Sequence, residues 1–277
     1  MRSRTVLRDV AAPWRLAPMA ACALLLATAH GAMAGACGDT IDGKRVACAC
    51  GDNVVTDTVL WPTDPVVTES CAGDGLILLA AGDADSLTLN LGGQSIVGRG
   101  YGAGIRVARG GRLGAVVVGG DEGDPRAEIA RFGTGIRASG RDALREVRSI
   151  DIHDNTADGL SIHTSGVRLD DVRSEGNGRD GVALTGHGNQ VSGVTARDNA
   201  RDGLKVRGSA ATVTAETTGN RRNGAVIGGR GNRVEQILTE GNGGAGVTAT
   251  GTGHEVGGMR ASGSAGGNLA GRAGAIE

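Results

Sequence analysis

The stretch Asp158-Gly159-Leu160-Ser161-Ile162 recurs in varied form down the chain and decides how the sequence is interpreted. Its glycine returns at steps of 24, 22, 22, 21 and 22 residues, at Gly135, Gly159, Gly181, Gly203, Gly224 and Gly246. A second series lies four residues before the later glycines, at Asn155, Asn177, Asn199, Asn220 and Asn242. Two series in phase predict a solenoid, in which each unit buries its apolar residues only against neighbouring units.

Three short apolar segments fall in each repeat. The first segment follows the glycine and alternates apolar with polar residues, as a strand with one buried face does. It comprises Leu160/Ile162, Val182/Leu184, Leu204/Val206, Ala225/Ile227 and Val247/Ala249. The second comprises Val147, Leu169, Val191, Val213 (after a one-residue deletion) and Val234, and the third Ile150, Val172, Val194, Ala215 and Ile237. This pattern predicts an all-β fold, a parallel β-helix of about 22 residues per coil. The leucine framework of a leucine-rich repeat is missing.

The polar residues between the segments are predicted to be structural. Asn and Gly tolerate left-handed backbone, so they suit compact corners. Stacked asparagine amides are also expected to hydrogen-bond along the axis. The string from Gly176 to Val182 looks like a calcium-binding nonapeptide repeat, but the period of 22 and the replacement of its Asp by Asn223 and Ala245 argue against a calcium roll.

The N-terminus predicts export. Four arginines precede a mostly apolar run, and Ala32-Met33-Ala34 fits a cleavage site, so residues 1–34 are predicted to be a signal peptide. A lipoprotein signal ending at Cys22 or Cys37 is the alternative, although both surroundings depart from the usual pattern. The mature protein is expected to be secreted, periplasmic or on the cell surface, without a membrane span.

The composition limits the classes of partner that the protein is expected to bind. Removing residues 1–34 subtracts four arginines and one aspartate, which leaves 25 basic and 29 acidic residues and a net charge of −4. This balance gives no sign of nucleic-acid binding. The 51 glycines would ordinarily suggest disorder, but the strand periodicity argues for a folded chain.

Four cysteines remain in the mature chain: Cys37, Cys48, Cys50 and Cys71. Disulfides are expected in an exported protein. A bond between Cys48 and Cys50 is unfavourable, because it would close a tiny loop with a single residue between the two cysteines. Two disulfide pairings therefore remain open: Cys37–Cys48 with Cys50–Cys71, or the crossed alternative. A zinc site is the alternative, but the spacing lacks two Cys-x-x-Cys pairs.

The segment from Cys50 to Gly98 resembles the N-terminal part of secreted bacterial right-handed parallel β-helix proteins with a pectate-lyase-like scaffold. The elements that carry the resemblance are Cys50, the extended stretch 54–60, Cys71, Gly75-Leu76-Ile77-Leu78, and Leu87, Leu89, Leu91, Gly93, Ile96 and Gly98. The resemblance implies a right-handed β-helix and a Cys50–Cys71 bond. It does not imply one activity, since this scaffold serves lyases, epimerases, adhesins and metal-insertion factors.

The predicted organisation has four parts. Residues 1–34 are the signal peptide, 35–74 a cysteine-containing N-terminal cap, 75–262 the β-helix and 263–277 a glycine-rich C-terminal end. The coil between Gly98 and Gly135 is longer than the others and carries the charged loop 121–126.

Candidate site residues come from the outward positions of the first segment. One outward column is Arg106, Arg137, Ser161, Ala183, Lys205, Val226 and Thr248, and the other is Ser139, His163, Thr185, Arg207, Gly228 and Thr250. Neither column contains Asp or Glu. Calcium-dependent lyases and glycoside hydrolases require such acidic side chains, so neither class fits this face. Arg137, His163, Lys205 and Arg207 are the catalytic candidates for a metal-independent lyase or epimerase that acts on a uronate. In it His163 would be the base and an arginine would hold the carboxylate.

Two further observations favour a non-enzymatic function. The cluster Asp151, His153 and Asp154 could ligate a metal, but His153 becomes Glu175 and Arg197 in later repeats, as in a variable solvent-facing column. After cleavage only Trp61, Tyr101 and Phe132 remain as aromatic residues, too few to line an extended glycan groove with stacking platforms, which makes a carbohydrate-active enzyme the alternative. The sequence therefore predicts an exported scaffold or surface-recognition protein without metal or cofactor, whose partner is a polysaccharide or a cell-surface component. A polysaccharide lyase or epimerase acting on an anionic glycan is the alternative.

Overall fold

The computed structural model describes residues 36–38, 40–41, 44–79, 86–107, 114–120 and 125–271 of the 277-residue chain. The predicted signal peptide and residues 121–124 of the charged loop lie outside the described residues. In the described part almost every regular element is a strand, in agreement with the predicted all-β class.

The strands are numbered in chain order. The N-terminal strands are β1 (Ala36–Cys37), β2 (Thr40–Ile41), β3 (Lys44–Arg45), β4 (Asp52–Val54), β5 (Thr58–Val59), β6 (Ser70–Cys71), β7 (Leu76–Leu78), β8 (Leu87–Asn90), β9 (Ser95–Gly98), β10 (Ala103–Val107), β11 (Ala115–Val118) and β12 (Ala127–Ala130). The regular repeats contain β13 (Thr134–Ser139), β14 (Leu144–His153), β15 (Leu160–His163), β16 (Arg168–Glu175), β17 (Val182–His187), β18 (Gln190–Arg197), β19 (Leu204–Ser209), β20 (Thr212–Thr218), β21 (Ala225–Arg230), β22 (Arg233–Glu240), β23 (Val247–Thr252), β24 (Glu255–Val256), β25 (Met259–Ser262) and β26 (Leu269–Gly271). One short helix, α1, spans Pro65–Thr68.

Two parallel sheets run the length of the coils. The first sheet has 11 strands in the order β1-β4-β7-β10-β13-β15-β17-β19-β21-β23-β26, and it contains the first apolar segment of each repeat. The second sheet has 13 strands and contains the second and third segments. In the regular repeats these two segments belong to one bent strand, as in β14 and β16, and not to two separate strands as the sequence suggested.

The bend within each second-sheet strand has a local cause. Ser149, Asp171 and Gly193 occupy equivalent positions and have φ angles of 55°, 51° and 63°, in the left-handed region. In β20 this position is deleted, so the ladder between β18 and β20 shifts register between Val191 and Val194. The deletion explains the single step of 21 residues as a β-bulge between otherwise matching coils.

The core is a continuous apolar column between the sheets. The residues that the alternation predicts to be inside are all buried, at 0–1% exposure: Leu160, Ile162, Val182, Leu184, Leu204 and Val206. Phe132 is also fully buried, which shows that one of the three mature aromatic residues belongs to the core. Burial of this apolar surface provides the main driving force for stacking the coils.

A ladder of buried asparagines fixes the register of successive coils, as predicted. In each step the backbone N–H and the side-chain amide of one asparagine donate to Oδ1 of the next. The distances are 3.1 and 2.9 Å from Asn177 to Asn199, and 3.0 and 3.0 Å from Asn199 to Asn220. The ladder begins where the N–H of Phe132 donates to Asn155 Oδ1, at 2.9 Å.

A glycine column that the sequence analysis missed lies at the end of the first-sheet strands. Gly186, Gly208, Gly229 and Gly251 stack on one another in register. Gly208 has a φ of 150°, and a Cβ added there would lie 1.7 Å from the carbonyl oxygen of Gly186. Glycine is therefore required because the backbones of adjacent coils approach too closely for any side chain.

The N-terminal cap is joined to the first coils by strand pairing, and two disulfides lie within it. They link Cys37 to Cys48 and Cys50 to Cys71, which confirms the Cys50–Cys71 bond that the resemblance implied and selects one of the two pairings that the residues left open. Strand β4 pairs in parallel with both β1 and β7, so the first sheet crosses the predicted boundary at residue 74 without a break. At the other end β26 pairs with β23, and the stacked strands thus extend into the predicted glycine-rich segment 263–277.

Asp64 organises the cap. Its side chain is 1% exposed and forms an ion pair with Arg45, at 2.7 Å between Oδ1 and Nη1. It also accepts the backbone N–H of Trp61 at 2.9 Å, while Arg45 lies over the Trp61 ring at 4.8 Å from its centroid. Burial alone would raise the pKa of Asp64, but the hydrogen bond from Arg45 and the backbone donors together lower the pKa below its ordinary value of 3.8.

Replacing Asn199 by alanine tests the ladder. The change removes the shared acceptor of the two Asn177 donors and one of the two donors to Asn220 Oδ1, since the backbone N–H of residue 199 remains. We expect the free energy of unfolding in urea to fall by about 2–3 kcal/mol, because buried polar groups lose their partners. Arg221→Ala, an exposed neighbour, is the control and should stay close to wild type; equal melts for the two variants would contradict a stabilising ladder.

Gly208→Ala tests the close approach of the coils. The added methyl group would overlap the Gly186 carbonyl, so we expect a loss of more than about 2 kcal/mol in thermal or urea unfolding. Gly188→Ala is the matched control, since Gly188 has a left-handed φ of 63° but open space around a Cβ. We expect Gly188→Ala to lower the free energy of unfolding by only about 1 kcal/mol. A smaller loss of unfolding free energy in Gly208→Ala than in Gly188→Ala would show that the coils can separate.

Asp64→Asn tests the cap. A carboxyl whose pKa is lowered by folding stabilises the folded state above its unfolded pKa, and the contribution is lost as the pH falls through the folded value. We expect the free energy of unfolding of wild type to exceed that of the variant by about 1–3 kcal/mol at neutral pH. The difference should begin to shrink near about pH 4 and should disappear only below the lowered pKa of the folded state. Glu69→Gln, an exposed change in the same cap, should show no such pH dependence. A pH-independent difference for Asp64→Asn would exclude the ionised pair as its cause.

Candidate functional site

The four predicted catalytic residues lie on the outer face of the first sheet, in the two columns that the repeat indicated. Arg137 is paired in register with Ser161, and Lys205 lies between Ala183 and Val226. His163 and Arg207 share the other column with Thr185 between them. Two strand spacings therefore separate His163 from Arg207, about 9.6 Å along the axis.

Lys205 is held by carboxylates. Its Nζ lies 3.0 Å from Oδ2 of Asp180 and 4.0 Å from Oδ2 of Asp202, and both aspartates are buried. The lysine side chain itself is only 16% exposed. The two outward columns contain no Asp or Glu, but aspartates from the corner before the strand balance the charge of the lysine.

These aspartates form a second ladder. The N–H of Asp180 donates to Asp158 Oδ1 at 3.1 Å, and the N–H of Asp202 donates to Asp180 Oδ1 at 3.2 Å. Asn223 continues the series by donating its N–H to Asp202 Oδ1 at 3.1 Å. This second ladder could have been predicted from the sequence, because its residues directly precede Gly159, Gly181, Gly203 and Gly224 at the period of the repeat. Their first role is to satisfy corner backbone groups.

The other three candidates make few contacts. Arg137 Nη2 donates to Thr134 Oγ1 at 3.1 Å, and His163 Nε2 lies 3.5 Å from Ser161 Oγ. Within the described parts of the chain Arg207 is exposed and has no hydrogen-bond or ion-pair partner. The structure thus places the candidates on one face without gathering them around a common point.

The second predicted cluster lies on the second sheet and is engaged in ion pairs. Asp151 Oδ1 accepts Arg126 Nε at 2.7 Å, and Arg126 also bonds Asp171 of the next coil. Although burial opposes it, the hydrogen bonds that Arg126 donates to these two carboxylates raise the pKa of Arg126. His153 Nδ1 lies 3.0 Å from Asp154 Oδ2. No group of three or more His, Cys, Asp or Glu side chains in the described residues could hold a metal ion.

A depression that the sequence analysis did not identify lies on the outer face of the second sheet, over the third segment. We call it the third-segment groove. Its volume is about 430 Å³, and it is lined by Arg173, Ser174, Glu175, Thr195, Arg197 and Glu216. The outward positions of the third segment could have been read from the repeat in the same way as those of the first.

The register of the strands explains the shape of the groove. Thr195 lies between Arg173 and Glu216 in one outward column, so a short side chain forms the floor between two long ones. Arg197 lies beside Glu175 in the other column and donates from Nη2 to Glu216 Oε1 at 2.9 Å. A second depression, lined by Leu238 and Arg260 among others, shares Glu216 with this groove.

The electrostatics of the groove are balanced. Two arginines face two glutamates, so the lining carries no net charge. The side chains of Arg173, Arg197 and Glu216 are 58%, 49% and 45% exposed. They therefore present hydrogen-bond donors and acceptors to solvent from a rigid strand framework.

The comparisons with known proteins agree with this architecture. Residues 125–258 match the family model described as the right handed beta helix region, and no curated protein matches the chain. No helix in the described residues has the length and apolar character needed to cross a membrane. Two parallel sheets, a 22-residue repeat and the family match lead to one conclusion: this chain is a right-handed parallel β-helix repeat protein.

Proposed function

We propose that the protein is an exported recognition scaffold that binds a polysaccharide or another cell-surface component and does not turn it over. The observation that carries the proposal is the state of Lys205, which buried Asp180 and Asp202 hold in ion pairs. A group held in this way has its charge already matched and is poorly placed to take part in proton transfer or to hold a substrate carboxylate.

The spacing of the remaining candidates supports the same proposal. A general base must lie within hydrogen-bond reach of the proton that it removes, about 2.6–3.2 Å, while another group holds the substrate. His163 and Arg207 are separated by the strand of Thr185, and Arg137 lies one strand before His163 in the neighbouring column. A single sugar ring could reach one or two of these groups, but they are spread along the axis.

The solenoid suits recognition of an extended partner. Each strand is fixed by the coils on either side, so outward side chains stand in straight columns at a spacing of about 4.8 Å. Stacked coils of this kind provide long rigid binding surfaces. The fold is compatible with a scaffold or a carbohydrate-binding role, and the side chains of the outer faces decide which partner is bound.

Export is part of the proposal. The bonds Cys37–Cys48 and Cys50–Cys71 require an oxidising compartment to form and persist. The cleavage pattern at Ala32-Met33-Ala34 supplies the route out of the cytoplasm. A periplasmic, secreted or cell-surface location satisfies both observations.

The test is an assay for elimination products. Purified mature protein is incubated with alginate, pectate and glycosaminoglycans, and absorbance of unsaturated uronates is followed. We expect no turnover above a heat-denatured control, because the candidate groups do not converge. Turnover that disappears in His163→Ala but persists in Thr185→Ala, a neighbour in the same column, would overturn the proposal and establish the lyase alternative.

A further inference from the structure

We infer that the third-segment groove binds an uncharged glycan chain lying parallel to the axis of the β-helix. This inference rests on the proposed recognition function and gives it a site and a ligand class. It assigns the site to the second sheet, away from the face on which the catalytic candidates lie.

The hydrogen-bond donors and acceptors that line the groove suit sugar hydroxyls. The ion pair between Arg197 and Glu216 uses one guanidinium N–H and one carboxylate oxygen, at 2.9 Å. An arginine has five N–H donors in a fixed plane, and a carboxylate has about four acceptor positions. Most of these positions therefore remain available, next to the hydroxyl of Thr195. Sugar hydroxyls both donate and accept, so neighbouring hydroxyls match an arginine beside a glutamate.

The charge balance of the groove lining favours an uncharged ligand. An anionic polymer would gain from Arg173 and Arg197 but would be repelled by Glu175 and Glu216, which lie in the same lining. A cationic polymer would be attracted by the two glutamates and repelled by the two arginines. An uncharged ligand avoids both penalties and still receives charge-assisted hydrogen bonds, which are roughly twice as strong as those between neutral groups.

The column of outward side chains through the groove runs along the axis. Arg173, Thr195, Glu216, Leu238 and Arg260 are in register from strand β16 to strand β25. A second depression, which shares Glu216 with the groove, lies over Leu238 and Arg260. Among the described residues no aromatic side chain lines either depression, so sugars would be held here by hydrogen bonds, and Leu238, which is 39% exposed, offers an apolar surface where a sugar ring could pack. A linear ligand along this column would meet polar, apolar and polar groups in turn.

The test is affinity electrophoresis through gels that contain one polysaccharide each. Dextran, laminarin and galactomannan are the uncharged probes, and alginate and pectate are the anionic ones. We expect wild type to be retarded by at least one uncharged probe and by neither anionic probe. Because the recognition uses hydrogen bonds and no net charge, retardation should persist at about 0.5 M NaCl, where long-range charge attraction is screened.

Three variants locate the site. Arg197→Ala and Glu216→Gln should each weaken binding roughly tenfold, the effect of losing one charge-assisted hydrogen bond. Arg230→Ala, which changes an exposed arginine in strand β21 of the first sheet, is the matched control and should bind as wild type does. Thr195→Arg, which fills the floor of the groove, should abolish binding. Circular dichroism melts close to wild type would show that the variants fold.

Each other outcome overturns the inference. Binding unchanged in Arg197→Ala and Thr195→Arg, or lost in Arg230→Ala, would place the site elsewhere. Binding to alginate or pectate alone, with loss at high salt, would show the ligand class to be wrong. Failure to bind any uncharged probe would exclude a glycan of this class but would leave the recognition proposal intact, since that proposal fails only if the elimination assay detects turnover.

Discussion

The hydrogen bond from one buried asparagine to the next is the contact on which the rest of the structure depends. Each link joins two donors of one coil to one amide oxygen of the following coil, for example from Asn177 to Asn199. Because the asparagines are buried, a coil that slipped by one residue would leave polar groups without partners. The ladder therefore fixes the register in which every other column is stacked, and the outward columns inherit that register.

Close stacking constrains the chain elsewhere. At Gly186 and Gly208 the backbones of adjacent coils leave no room for a Cβ atom. At the bend of the second sheet a left-handed residue such as Asp171 is needed in some coils and is deleted in β20. The repeat can thus change length by one residue at a bend, while the asparagine and glycine columns stay aligned. This difference explains why the sequence repeat is imperfect and the fold is regular.

The same alignment controls what the outer faces can bind. Corner aspartates that satisfy backbone groups also reach Lys205, so a structural ladder removes one basic group from the first-sheet face. On the second sheet the column containing Thr195 places a short residue between two long ones and creates a groove. Depressions on the outer face arise where a column varies from coil to coil, since identical side chains in every coil would give a flat or uniformly charged face.

The sequence by itself determined the coil length, the asparagine ladder, the inward residues such as Leu160 and the outward columns, because these follow from a period that needs no long-range information. The resemblance added the Cys50–Cys71 bond. Only the tertiary structure decided that the second and third segments form one bent strand, that Lys205 is neutralised by Asp180, and that Arg197 and Glu216 border a groove. These features depend on how corner residues and long side chains of neighbouring coils meet across the axis. A linear repeat gives the neighbours of each residue, but it does not give the direction in which a flexible side chain turns.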